Sequence, residues 1–380
     1  MDLLEYQGKE LFARHGLAVP KGRHAARVEE ATMAADEVGY PCVVKAQVRT
    51  GKRGKAGGIK VASSRDEARQ HAQAILGMDI RGFTVHEVWI EEASKTAAEL
   101  YASVILDRSE KKLLAMLSAM GGMDVEQMAE RDPNALVRRH VDSDGALDPR
   151  VGRELAERAG IDEDVRGGVA EMLAKLCEVA IAEDATLIEV NPLIVTADRR
   201  VIALDAKVTI DGNALFRHSD LAELRDVSAE DPQERMAKER GITYVKLDGD
   251  IGILGNGAGL CMATLDVVAQ AGGRPANFLD AGGGSRAEAI VNALEVIASD
   301  EKVRAILFNI FGGITRCDEI AKGIIEASKQ IEIGVPLVVR LDGTNAEEGL
   351  RLLAEADLPT LHQEKTMLGA AETVVELAGG

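Results

Sequence analysis

LIEVNPLIVTADRRVIALDAK, running from Leu187 to Lys207, reads as two antiparallel strands joined by a short loop. Side chains alternate faces along a strand, so Glu189 and Asn191 project together, and Pro192, with no N–H to give a ladder, closes the first strand. Thr196 to Arg200 is polar and short enough for a hairpin loop, beyond which Val201, Ala203, Asp205 and Lys207 share one face. With the loop centred on Asp198 and Val195 opposite Val201, Asn191 falls opposite Asp205 and Glu189 opposite Lys207. Three oxygen-bearing side chains then converge beside a lysine. The plainer reading is a solvated hairpin face with an ordinary ion pair. The chemical reading is a site for Mg²⁺, which accepts a few hard oxygen ligands and lets substrate phosphates complete its octahedron. Register decides between them, because a slip of one residue sends these groups to opposite faces.

Outward from this hairpin the chain has two textures. Up to about residue 235 it mixes helices with antiparallel-looking pairs: PCVVKAQV with GGIKVA around a Gly-rich loop, then VHEVWIEEA, ELYASVILD and KLLAMLSA. That is an α+β pattern. From Asp250 strands and helices alternate: IGILG and a helix from Gly259, ANFLD and a helix from Arg286, AILFNIF and a helix from Cys317, PLVVRL and a helix from Ala346. That is a parallel, doubly wound α/β sheet. The charged stretch from Asp220 to Gly241, with Asp231-Pro232 inside it, is the connector, and the expected domains are 1–236 and 237–380.

GKRGKAGG, Gly51 to Gly58, lies between strand-like VVKAQV and IKVA. Its cations and its closely approachable backbone N–H groups suit a phosphate cover, although the same residues also suit a basic surface turn. It is not a Walker A loop, since no G-K-[ST] follows and the next segment reads as strand. Lys45 favours the phosphate, because an ammonium inside the apolar run PCVVKAQV needs an anionic partner to be buried.

In the carboxy-terminal half each strand is followed by glycine and small polar groups, at Gly255 to Gly257, Asp280 to Gly284, Phe311 to Thr315 and Asp342 to Asn345. Parallel sheets bind ligands at this edge, where helix N-termini present free N–H groups to anions. Taken singly, each loop is also explained as a tight strand-to-helix turn. GNGAG has G-x-G-x-G spacing, not the G-x-G-x-x-G of a dinucleotide site.

Composition sets the outer bounds. The chain has 380 residues, 46% hydrophobic and 28% charged, enough for two or three domains with substantial cores. No run approaches a membrane span. The start MDLLEYQGKELFARHG reads as an amino-terminal helix and not as a targeting peptide, so the expected location is the cytoplasm. A net charge of −18 argues against nucleic acid as a partner. Cys42, Cys177, Cys261 and Cys317 are far apart with no C-x-x-C pair, which indicates buried, reduced thiols.

MDLLEYQGKELFARHG, KRGKAGGIKV, EVNPL with LDAK, DGNALFR, NGAGL, PANFLDAGGG and NIFGGITRCD, in this order, resemble the β subunits of the bacterial succinyl-CoA synthetase (succinate–CoA ligase) family over essentially the whole chain. The resemblance implies an ATP-grasp fold binding nucleotide and Mg²⁺, followed by a flavodoxin-like CoA-ligase domain. Carried over by motif, Lys45, Lys52, Arg53 and Gly54 would serve the nucleotide phosphates. Glu91, Ser94 and Glu99 would hold the base and sugar side, and Asn191 and Asp205 the Mg²⁺. Glu189 would accept a hydrogen bond from a mobile phosphohistidine and orient it, while the helix opening at Gly257 would stabilise that group through its dipole. Asn256, Gly313, Ile314 and Thr315 would line the dicarboxylate site. The family has glycine where Lys52 stands, so the backbone angle there is a point of difference.

The resemblance further implies an α subunit carrying the phosphorylated histidine and most of the CoA site, assembled as αβ or (αβ)₂. None of this chain's seven histidines occupies a Gly-rich strand-to-helix loop; they fall in helices or polar segments. The implied reaction is ATP or GTP with succinate and CoA giving ADP or GDP, phosphate and succinyl-CoA, a step of the tricarboxylic acid cycle. A malate–CoA ligase β subunit shares the architecture. A self-sufficient ATP-grasp ligase joining a carboxylate to an amine would need no partner but leaves the second domain without a task. A nucleotide-sensing protein would have no need of Glu189, Asn191 and Asp205 together.

Overall fold

The computed structural model describes residues 1–123, 130, 132, 134–141, 147–225, 231–282, 287–331 and 333–379. The chain divides after Arg225 into two units. The helix Pro232–Glu239, which a boundary at 236/237 would cut, belongs whole to the second unit, where Ala237 joins the core. Part of the expected connector, residues 226–230, lies outside the described residues.

The first unit is built on two antiparallel sheets. Strands β1 (Gly22–Ala25), β2 (Cys42–Gln47), β3 (Ile59–Ala62), the short pair β4 (Asp79–Ile80) and β5 (Phe83–Thr84), and β6 (Glu87–Glu92) come first, and β1, β6, β2 and β3 pair in that order. Helices Val28–Val38 and Arg65–Ile75 bury Ala31, Ala35, Ala72 and Ile75 in one core with Val44 and Ile90. The larger sheet contains β7 (Thr96–Asp107), β8 (Lys112–Ser118), β9 (Val137–Val141), β10 (Ala185–Thr196), β11 (Val201–Ala203) and β12 (Lys207–Ile210). Its order is β11–β10–β7–β8–β9, with β12 also on β10. Leu11 and Phe12 of the first helix, Glu5–Arg14, and Leu155 and Leu173 of helices Pro149–Arg158 and Arg166–Ala182, share a core with Val104, Ile188 and Val190.

Val195 pairs with Val201 and Glu189 with Lys207, the register the hairpin sequence predicts. Two details differ. Pro192 does not close the strand: β10 runs on to Thr196, and the Asn191–Pro192 peptide is cis. Across to β7, Val190 pairs with Ala102 and Leu193 with Leu100, so two residues of β10 face Tyr101 alone. This β-bulge moves the buried face from Ile188 and Val190 to Leu193 and Val195 and re-aims the residues between them. The second difference is that β11 ends at Ala203 and β12 begins at Lys207. Residues 204–206 leave the ladder, so Asp205 is not the paired neighbour of Asn191.

The second unit has strands β13 (Thr243–Lys246), β14 (Ile251–Gly255), β15 (Asn277–Asp280), β16 (Ala305–Gly312), β17 (Leu337–Gly343) and β18 (Leu361–Gln363), ordered β13–β15–β14–β16–β17–β18. All neighbours are parallel except β13, an antiparallel edge that the alternation of strand and helix did not predict. Successive residues of β16 serve opposite cores: Ala305 and Leu307 pack with Val374 of the last helix, Met367–Gly379, and Ile306 and Phe308 with Leu294 and Ile320. Apolar runs covered on both faces are the mark of a doubly wound sheet. Helices begin at Ala258, Ala287, Cys317 and Ala346, within one residue of expectation, while Gly283, Gly284 and Arg286 lie outside the described residues. All four cysteines are buried and unbridged. No helix among the described residues is long and apolar enough to cross a membrane.

Candidate active site

Lys45, in the middle of β2, stands opposite Trp89 of β6, with Glu91 two residues along on the same face. The Lys45 ammonium is 2.6 Å from the Glu91 carboxylate and 2.9 Å from that of Glu5, and it donates to the Leu204 carbonyl at 3.1 Å. Lys9, one turn beyond Glu5, bonds the same two carboxylates. Arg53 spans Glu5 at 2.5 Å and Asp205 at 3.2 Å, and the Trp89 indole N–H donates to Glu91 at 2.8 Å. Lys45 therefore has the anionic partner its burial demands in the carboxylates of Glu5 and Glu91. Glu91, expected beside the base and sugar, is fully buried and engaged by Lys9, Lys45 and Trp89, so its place is in this cluster. Sequence reasoning missed Glu5 and Lys9. Their i,i+4 spacing is that of a solvent-facing pair on a helix, and nothing local announces that β6 covers that face.

The cluster sets its own protonation. Burial pushes the Glu5 carboxyl up, yet Arg53, Lys45 and Lys9 together overcome this and hold it well below the usual range. Burial works to strip the proton from Lys45, and Glu5, Glu91 and Asp205 outweigh it, raising its pKa. Asp205 goes the other way: burial and the charge of Glu5 raise its pKa, with Arg53 and Lys45 offsetting part of the shift.

Above this cluster lies a cavity of about 770 Å³ lined by the 48–55 loop, by Glu189, Asn191 and Pro192 of the bulge, and by Asp205 to Lys207. Lys52, Arg53 and Gly54 thus meet Glu189, Asn191 and Asp205 at one place, although the last two are not ladder partners. The loop is closed by Gly58 N–H donating to the Arg53 carbonyl at 2.9 Å, and Arg53 also donates to the Ala46 carbonyl at 3.1 Å. Lys52 holds φ at +65°, the left-handed region where the family's glycine is unstrained. Glu189 accepts a hydrogen bond from the Tyr101 hydroxyl at 3.3 Å. The Asn191 amide is oriented at both ends, accepting from Gly122 N–H and donating to the Met123 carbonyl, each at 2.8 Å. Glu99 abuts this turn: a side chain at Gly122 would meet its carboxylate. Ser94, in the segment between β6 and β7, does not line the cavity.

Asn191 keeps a second lone pair on its oriented amide oxygen, and the hydrogen bonds on Asp205, from Arg53 and the Ala206 N–H, fall on Oδ1. One amide oxygen and one carboxylate are a sparse set, and no group of three or more metal-ligating His, Cys, Asp or Glu side chains occurs among the described residues. These hard donors fit a Mg²⁺ that takes the rest of its ligands from phosphates and water.

An ATP-grasp domain model matches residues 2–195 and a CoA-ligase model residues 254–374. A curated relative from Rubrobacter xylanophilus, succinate–CoA ligase [ADP-forming] subunit beta, is 55% identical over 378 residues, covering 100% of this chain and 99% of its own. A relative of the same name from Halorubrum lacusprofundi is 51% identical over 379 residues, with the same coverage.

The chain belongs to the succinate–CoA ligase β-subunit family.

A solved structure of ATP citrate lyase from Methanothrix soehngenii, in complex with citrate and coenzyme A, superposes with a TM-score of 0.74 over 99% of both chains at 19% identity, which is a likeness of fold. Within the family's CoA-ligase region, the carboxyl ends of β14 to β17 collect at one sheet edge as expected. The four residues expected at the dicarboxylate site are not alike there. Asn256 uses both ends of its amide on the Phe311 backbone, at 2.9 Å each, tying two strand ends together. Ile314 is 89% exposed and Gly313 is exposed, whereas Thr315 is buried at 1%. At the helix opening beyond Gly257, the Gly257 N–H is already taken by Asp280 at 2.6 Å, a carboxylate that sequence reasoning placed only in a turn. None of the seven histidines lines the cavity beside Arg53 and Glu189. His24, His140 and His362 lie in the short, mostly polar strands β1, β9 and β18, and His24 and His140 are paired with Glu87 and Asp107.

Proposed function

We propose that this chain is the nucleotide-binding subunit of a succinate–CoA ligase, working with an α subunit to convert ATP, succinate and CoA to ADP, phosphate and succinyl-CoA. The observation that carries this reading is the single cavity in which Arg53 and Lys52 meet Glu189, Asn191 and Asp205. A phosphate chain finds both cations and hard oxygen donors in this lining, and the names of full-length relatives supply the acid and the thiol. Mg²⁺, held by Asn191 and Asp205, would neutralise phosphate charge during transfer.

The chain's own residues bind and orient. Arg53 bridges Glu5 and Asp205 at the floor of the cavity, where it would add a contact to phosphate oxygens while Asp205 keeps Oδ2 for the metal. Glu189, steadied by Tyr101, accepts a hydrogen bond from the imidazole of the α subunit's histidine and turns the opposite ring nitrogen toward the terminal phosphoryl group. The phosphohistidine then passes its phosphoryl group to succinate. CoA thiolate attacks the acyl phosphate, forming the thioester and expelling phosphate.

Glu189→Gln tests the assignment. Nucleotide affinity should stay within about twofold, while turnover with the α subunit falls on the order of 10²–10⁴. Turnover near wild type would remove Glu189 from the site.

A further inference from the structure

Arg49, four residues beyond Lys45, lines the same cavity as Arg53, Glu189 and Asp205. Its guanidinium Nε and Nη2 are shielded from solvent and have no hydrogen-bond partner among the described residues. Arg53, on the same loop, shows the matched case, with Glu5, Asp205 and the Ala46 carbonyl as acceptors. Arginine cannot escape burial by losing its proton, and a buried charged donor without an acceptor is among the more expensive features a fold can carry. Nε and Nη2 form one edge of a planar fork, spaced for two oxygens of a single oxyanion. Among the described residues the cavity lining is cationic on balance, with six Lys and Arg side chains against four carboxylates.

We propose that Arg49 is a binding residue for a phosphate group in this cavity, donating Nε–H and Nη2–H to two of its oxygens. This rests on the reading of the cavity as a nucleotide site and adds a residue that none of its motifs supplies. A phosphate group at this place is either part of the nucleotide's phosphate chain or free inorganic phosphate.

The test is calorimetric titration of the full chain, as wild type, Arg49→Gln and Arg49→Lys, with Mg-ATP and separately with inorganic phosphate. Arg49→Gln should weaken binding about 10- to 100-fold and Arg49→Lys less, since an ammonium keeps the charge but not the fork. A loss confined to Mg-ATP assigns the phosphate to the nucleotide, and a loss confined to inorganic phosphate assigns it to the free ion. Wild type that ignores Mg-ATP but binds phosphate through Arg49 would sink the nucleotide reading and leave the anion site standing. Unchanged affinity of Arg49→Gln for every ligand that wild type binds, or wild type binding neither, overturns the proposal. Ligand-free melting separates a packing role: Arg49→Gln should melt at or above wild type, and lowered melting with unaltered affinity also overturns it.

Discussion

Replacing Glu5 with Gln removes one charge from a balanced buried set, in which Lys9, Lys45 and Arg53 face Glu5, Glu91 and Asp205. The Glu5 side chain is 2% exposed, so water cannot take its place. Breaking a buried pair by deleting one partner costs about 3–5 kcal/mol, because the charge left behind is uncompensated. For a unit of this size each kcal/mol lowers the melting temperature by about 2–4 °C, so Glu5→Gln should melt roughly 6–20 °C below wild type. Trp89 is the chain's only tryptophan and donates to Glu91, so its fluorescence reports unfolding of the unit that holds the cluster. Adding Lys45→Met restores neutrality and should recover more than half of the loss, a coupling that separates charge balance from simple packing. The acid limb gives a second reading. Since the folded-state pKa of Glu5 is depressed, its contribution is present above the unfolded pKa of about 4.3 and is lost as pH falls through the lower folded value. Glu5→Gln should flatten that limb. A single variant within about 1 kcal/mol of wild type, or a double variant no better than the sum of the singles, refutes the reasoning.

The hairpin and the loop give two further predictions. Asp205→Asn should abolish the Mg²⁺-dependent part of nucleotide affinity while leaving the melting curve near wild type, because Asp205, unlike Glu5, is partly exposed and its raised pKa means that the fold disfavours its charge. In wild type, because burial and Glu5 raise the Asp205 pKa, that metal-dependent affinity should begin to fall at a higher pH than an ordinary Asp of about 3.9 would allow; both are read by titration with and without metal. At Lys52, with φ at +65°, Lys52→Val should be less stable than Lys52→Gly by about 1–2 kcal/mol, measured by denaturant unfolding.

Much of this was legible in the sequence because apolar patterning fixes register and layer. The Val195–Val201 and Glu189–Lys207 pairs follow from alternation and a polar loop, and the β16 run, buried on both faces, announces its parallel sheet. What patterning could not carry was any contact between distant segments. Lys45 needed an anion, and the sequence did not tell that Glu5 from a helix and Glu91 from a strand supply two. Strict alternation through Pro192 missed the bulge, which adds one residue opposite Tyr101 and re-aims Asn191. Thr315 sits in a motif of glycine and exposed isoleucine, and nothing in that motif tells that its side chain turns inward.

Mixing the purified chain with a bacterial succinate–CoA ligase α subunit, Mg-ATP, CoA and succinate, and following thioester formation with this chain alone as control, tests the central claim most directly. Succinyl-CoA formed only when the α subunit is present, and faster with succinate than with malate, is the predicted result; turnover by this chain alone, or none with the α subunit, would contradict it.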